Sequence, residues 1–496
     1  MAGSSPSLPS DLLAARGLRL FPRSPVEHDG AVYALAASAA APRLLVAGPD
    51  GAARGFEVAE RLGSGTNLVH VCPASHANAD RLRAVLPNAG PSPLASRDTT
   101  FGTGDRLGLA GPGHLAAFRR FAASPVLAQQ SLRELTLTSR TYEEVLDAST
   151  WSVLREGWRD RWGADGDHLK TEEWVRRALA IGYTMITADV SDHIRGEWAV
   201  RSDAEALAQW KTLDAGLRRG LEERYLGSAT PLDTGEAVRF TPAELARTTL
   251  VYGEAVEHAA RLYRACVAEK GEGGFDFELS IDETATPTTP QAHVFMAREA
   301  SRRGVVVSSL APRFVGEFQK GVDYIGDVRG FEESFAVHAA LCRALGHRIS
   351  VHSGSDKFSV FPAIGRLARG RFHVKTAGTS WLEALRVVAA VDPALFRELY
   401  AHGRRTYDSA RKLYHVTPDL ARLPDAAGLP AAAAAALLDD RDARQVLHIT
   451  YGEMLGVPDL KRRLFEALAG SADAYAAALE RHIGRHLAAL GVPARA

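Results

Sequence analysis

A chain of 496 residues with 59 basic and 59 acidic side chains carries no formal net charge, which argues against the basic surface of a nucleic-acid binder and the cationic face of a membrane-surface helix. Its 46% hydrophobic and 24% charged residues are those of a globular protein, and no apolar run reaches the ~20 residues that span a bilayer. Cys72, Cys266 and Cys342 are too few and too scattered for a disulfide framework or a zinc ribbon; with no signal peptide evident in MAGSSPSLPSDLL, the expected location is the cytoplasm.

Residues 1–96 hold short strand-like runs, VYALAA, PRLLVAG and NLVHVCP, and are expected to form a small α/β cap. Gly63-Ser64-Gly65 lacks the lysine and spacing of a phosphate-binding loop. From Thr99 a rhythm begins, with strand-like segments at 100–104, 125–129, 162–165, 183–189, 275–281, 304–309, 348–352 and 371–374. Amphipathic helical text such as EEWVRRALAIG and FEESFAVHAALCRALG fills most gaps. Eight alternating units predict a (β/α)8 barrel of the TIM type over 97–390. The competing architecture is a doubly wound open sheet, but no Gly-rich nucleotide turn follows a first strand. An insert at about 193–272 reads as helical and is expected beside the barrel mouth. Residues 391–496 read as a helical extension that includes LPDAAGLPAAAAAALLDD. In its last helix an arginine precedes each of His482 and His486, which reads as a solvated face.

The chemistry is concentrated in 275–290, FDFELSIDETATPTTP. Phe275, Phe277, Leu279 and Ile281 alternate with Asp276, Glu278, Ser280 and Asp282, giving one apolar face and one unusually acidic face. Two later strands repeat the habit: Ser350 and His352 share a face, as do Arg371, His373 and Lys375. In barrels of this kind reactive groups collect at the C-terminal strand ends. The third strand offers Asp165, Asp167, His168 and Lys170 there, the fifth Glu278, Asp282 and Glu283, and the sixth Arg313, Glu317 and Lys320. A lone strand-end histidine is usually structural, whereas three on three strands favour a shared divalent metal. His168, His352 and His373 are the expected ligands, and imidazoles suit zinc, manganese, cobalt or nickel better than calcium. Glu278 is the expected proton-transfer group, with an ion pair to Lys375 or Arg313 as the bland alternative. His293 is expected in the core or on the surface of the next helix rather than as a ligand.

Several long segments, among them GADGDHLKTEE, ADVSDHI, SIDETATPTTP, SLAPRFVGEFQKGVDYIGD, ISVHSGSDKFSVFP and FHVKTAGTSWLEALRVV, closely resemble the bacterial tagaturonate epimerase family. The resemblance spans roughly 101–455. It implies a metal-dependent isomerase that interconverts D-tagaturonate and D-fructuronate in hexuronate catabolism, on a barrel distantly like the class II aldolases. It further implies Asp167 as proton acceptor, His168 as a metal ligand, His352 and His373 as the rest of the metal site, and Glu278 as donor acid. The two sugar acids differ at a carbon β to the ketone, whose C–H is not acidic, so a retro-aldol cut and re-addition is the expected route. That route needs a cation for the substrate carboxylate, for which Lys170, Arg313 and Lys375 are candidates, and Gln130 could bond a substrate hydroxyl. An aldolase or lyase, or an epimerase of neutral ketohexoses, are the alternatives. The expected partner is a small sugar acid, with no nucleic acid and no membrane; homo-oligomerisation is left open.

Overall fold

The computed structural model describes residues 8–495 except 50, 66, 67, 426 and 427, so the start of NLVHVCP and part of the Pro/Ala-rich stretch lie outside the described residues. Eight parallel strands form a closed barrel in chain order: β1 (Thr99–Thr103), β2 (Ser124–Ser131), β3 (Gly163–Leu169), β4 (Met185–Asp189), β5 (Asp276–Ile281), β6 (Ser309–Pro312), β7 (Arg348–Val351) and β8 (Phe372–Thr376). Closure is the pairing of β8 with β1, from Phe372 opposite Thr99 to Thr376 opposite Thr103.

Alternation along each strand becomes inside and outside of the barrel. On β5, Phe277 packs outward against Tyr263 with ring centroids 5.2 Å apart, while Leu279 and Ile281 join Val256, Ala259 and Phe295 under the helices. Between them Glu278 points inward and is fully buried. Asp276, at the opposite end of the same face, serves the floor of the barrel. It accepts the Leu94 and Ala95 amides at 2.5 and 2.8 Å, and Arg348 donates to the Leu94 and Arg97 carbonyls at 3.0 and 2.9 Å.

The sixth strand lies later than its apolar text implies. The preceding helix ends at Arg302, Gly304 turns at φ 79°, and Val306 is 68% exposed. Pairing starts only where Ser309 meets Glu278. β-branched residues favour extended backbone, but the neighbouring strand decides where the ladder begins.

Within the insert, helices Asp203–Trp210 and Ala215–Tyr225 and a two-stranded hairpin precede the helix Pro242–Lys270. Thr241 and Glu244 cap that helix reciprocally, and Val256 and Ala259 bring it onto β5. It is therefore the β4–β5 crossover helix itself. Before the barrel, an antiparallel sheet built around Ala31–Ala37, Arg43–Ala47 and Val69–Pro73 carries the helix His76–Val85. After β8 the chain is helical, with a separate apolar core that includes Trp381, Phe396, Leu447 and Leu479. The helix Ala472–Ala489 buries His482 and His486 instead of exposing them. His486 Nε2 accepts the Asp356 amide at 2.9 Å and is enclosed by the Phe358 and Phe361 rings, while His482 lies 3.0 Å from the Asp356 carboxylate. An arginine beside each histidine marked a wet face in the sequence, but the loop after β7 covers it.

Candidate active site at the barrel mouth

Strict strand alternation would send Asp167 and His168 to opposite faces of the sheet. Both line the cavity at the barrel mouth, because β3 carries a bulge. Gly166 pairs with Ile186 and Leu169 with Ala188, so Asp167 and His168 together oppose Thr187 alone. His168 adopts φ 57°, a left-handed backbone uncommon for a residue with a Cβ, which the bulge imposes here.

The cavity holds about 440 Å3 and is bordered by Gln129, Asp167, His168, Asp282, Lys320, His352 and Lys375 among others. A larger cleft of about 1010 Å3 opens beside Tyr324, Arg386 and Arg485, away from the strand-end groups. Inside the smaller cavity the ligand atoms of His168, Asp282 and His352 all lie within 4.8 Å of one another. Asp282 Oδ1 is 3.2 Å from His352 Nδ1 and 3.9 Å from His168 Nε2. The remaining ring nitrogens are occupied: His168 Nδ1 donates to Asp167 at 2.8 Å and His352 Nε2 to Glu278 at 2.7 Å. Metal-binding histidines characteristically donate their other N–H to a carboxylate in this way, which turns the free lone pair toward the cation. His352 Nδ1 is buried without a hydrogen-bond partner among the described residues, as a nitrogen reserved for a ligand would be. The donor set of two imidazoles and a carboxylate fits a divalent transition metal.

His373 is not in that group. Its register opposite Ser350 places it one inward layer below His352, where its Nδ1 meets Thr100 Oγ1 at 2.9 Å. Burial pushes its pKa down to about 3, so the ring is neutral. Asp282, beyond the end of β5, takes the place expected for His373.

Beneath these three candidate ligands sits an ionic cluster. Lys375 Nζ contacts Asp165 at 2.7 Å, Asp167 at 2.8 Å and Glu278 at 2.9 Å. Burial works against its charge, but the three acids hold Lys375 well above the usual lysine range. Burial likewise opposes ionisation of Asp167 and Glu278, yet Lys375 with His168 for the one, and with His352 for the other, keeps each carboxyl well below its usual range. Asp165 is different, since burial dominates and pushes it up to about 6 in spite of Lys375. Glu278 is therefore held ionised, whereas the donor acid that the family resemblance implied would carry a proton. It also does not line the cavity; it lies behind His352, accepting from Ser309 Oγ at 2.6 Å.

The remaining expected residues divide. Lys375 lines the cavity but is engaged by three acids, and Lys170 stands at the rim donating to Asp192 at 2.7 Å and Ser191 at 3.0 Å. Arg313 does not line the cavity; its backbone N–H donates to Thr288 Oγ1. Gln130 falls between Gln129 and Ser131, which both border the cavity, so alternation turns it to the other face. Gln129 replaces it, and Gly102 opposite has no Cβ because one would collide with the Gln129 amide. Two further cations border the cavity with neutral partners: Lys320, which the sequence placed at the end of the sixth strand, and Arg133, which it did not single out. Lys320 Nζ donates to Ser353 Oγ at 2.9 Å, and Arg133 donates to the Leu413 carbonyl and lies over the Tyr414 ring. Arg133 is present in SLRE, but nothing local distinguishes it there from a surface charge.

A family model described as tagaturonate epimerase matches residues 21–490. The chain belongs to the tagaturonate epimerase family. Members of that family similar to it include the tagaturonate/fructuronate epimerase of Thermotoga maritima, 38% identical over 473 residues, with 95% of this chain and 97% of the relative covered. The crystal structure of the fructuronate-tagaturonate epimerase of Cohnella laeviribosi superposes with a TM-score of 0.92 at 40% identity, covering 97% of this chain and 98% of that one. Its glycerol complex gives 0.91 at 41% identity. This chain is thus an isomerase-type enzyme on a closed barrel, and none of its described helices is long and apolar enough to cross a membrane.

Proposed function

We propose that the protein interconverts D-tagaturonate and D-fructuronate by metal-dependent retro-aldol cleavage and re-addition. The observation that carries this reading is the His168–Asp282–His352 group, with both rings oriented by carboxylates, above an ionic cluster inside a family barrel. A divalent cation held by those three side chains would act as a Lewis acid on the substrate ketone and stabilise the enolate charge released by carbon–carbon cleavage.

The other roles fall to the chain's own groups. Asp167, ionised and bordering the cavity, takes the hydroxyl proton at the carbon that changes configuration. That carbon becomes an aldehyde as its bond to the α carbon breaks. Turning the aldehyde and re-forming the bond gives the epimeric alkoxide. Lys375, 2.8 Å from Asp167, supplies the returning proton and recovers it from Asp167, so the cycle closes without net proton transfer. Glu278 acts from behind, holding His352 and Lys375 in place and keeping the amine protonated. Lys320 and Arg133 are the cations for the uronate carboxylate, which favours a sugar acid over a neutral ketose. Incubation of the holoenzyme with tagaturonate, followed by NMR, tests the reading. The expected product is fructuronate, lost on chelation and restored by a divalent transition metal. Accumulated fragments would make the enzyme an aldolase, and an epimer formed by verified metal-free protein would remove the metal from the mechanism.

A further inference from the structure

Away from the mouth, a second cluster lies between the helices Pro290–Arg302 and Val328–Leu345. It contains His293, His338, Cys342 and His347, all buried. His293 is thus a core residue, as the sequence implied, but its surroundings are unusual. Its Nδ1 is 2.9 Å from His338 Nδ1 and its Nε2 is 3.0 Å from His347 Nε2.

His338 Nε2 faces the Thr288 carbonyl at 3.0 Å and must carry a hydrogen, leaving Nδ1 as a lone pair that accepts from His293 Nδ1. His293 Nε2 is then a lone pair turned toward His347 Nε2, placed either to accept a hydrogen from that ring or to share a cation with it. Beside that same contact lies a sulfur: Cys342 Sγ is 3.8 Å from His293 Nε2. All three ligand atoms lie within 4.8 Å of one another. Metal–nitrogen and metal–sulfur bonds of ~2.0 and ~2.3 Å give tetrahedral edges of roughly 3.3 and 3.6 Å, close to what is seen.

We infer that His293 Nε2, His347 Nε2 and the Cys342 thiolate form a second, buried metal site that takes a soft d10 cation, zinc(II) or copper(I). Binding releases the thiol proton and satisfies every other hydrogen. His293 donates Nδ1–H to His338 and His338 donates to Thr288, so the His293 ring has the outer partner such ligands use. Thiolate with imidazole selects zinc or copper(I) over the harder cations suited to the oxygen-bearing mouth.

The test uses the full-length protein, produced in cobalt-supplemented minimal medium and read by absorption and metal analysis. Thiolate ligation gives cobalt(II) a sulfur-to-metal charge-transfer band. Wild type and His352→Ala are expected to show the band, whereas Cys342→Ser and His347→Gln lose it together with about one equivalent of metal per chain. Parallel loading with zinc(II) and anaerobic copper(I) identifies the preferred cation. His347→Gln keeps the test open if Cys342→Ser fails to fold. A band that survives Cys342→Ser, or equal contents of all three metals in wild type and the variants, overturns the site.

Discussion

At the scale of single residues, the division of labour at the mouth gives separable outcomes. Asp167→Asn removes the base while keeping the shape, and turnover should fall by roughly 10²–10⁴. Each of Asp167→Asn and Glu278→Gln also weakens the carboxylate that orients a ligand ring, so both should lose some metal. Kinetics at saturating metal separates the two: Glu278→Gln should recover turnover and Asp167→Asn should not. His352→Ala and Asp282→Asn should each release the mouth metal, whereas His373→Ala should retain it. Lys320→Met should raise KM for the uronate and leave neutral ketohexoses unaffected, as paired kinetics would show. Part of this arrangement was readable in the chain: His168, His352, Asp167 and Lys375 border the cavity at the strand ends, while Glu278 sits one layer below it. What the text could not give was depth. Alternation assigns a face, but only register shows that His373 is level with Ser350 and that Asp282 reaches the rim.

At the scale of elements, seven of the eight strand-like segments overlap the strand they announced, because an apolar face against helices and a polar face inward leave a two-residue period. The sixth, 304–309, meets its strand only at Ser309, since propensity says extended and only a neighbour says paired. The bulge in β3 was invisible for a related reason. It exists in the mismatch between two strands, and GADGDHL by itself does not record it. The floor of β5 behaves differently from its mouth. Asp276→Ala strands the buried Leu94 amide and the Arg348 charge, so stability should drop by about 1–3 kcal/mol in thermal denaturation while kcat is kept.

At the scale of the molecule, β8 closes the ring and brings the one lysine that neutralises the centre. Lys375→Met takes from Asp165, Asp167 and Glu278 the one cation that all three share, a loss of about 3–5 kcal/mol near neutral pH. The sign follows from burial, which raises the pKa of unpaired acids above their unfolded values. Their protonated forms then keep the variant stable at low pH, and stability is lost as pH rises through the folded values; melting curves across pH would show a steeper decline than in the wild type, where of the three acids only Asp165 is raised. The same arrangement orders events in time. The acids lie on β3 and β5, and Lys375 follows Glu278 by almost a hundred residues of chain. A chain emerging from synthesis, or refolding from its N-terminal side, therefore holds three carboxylates around an axis that cannot yet dehydrate. Water stays in the half-built ring until β8 docks, so sealing the barrel and neutralising its centre are a single late step.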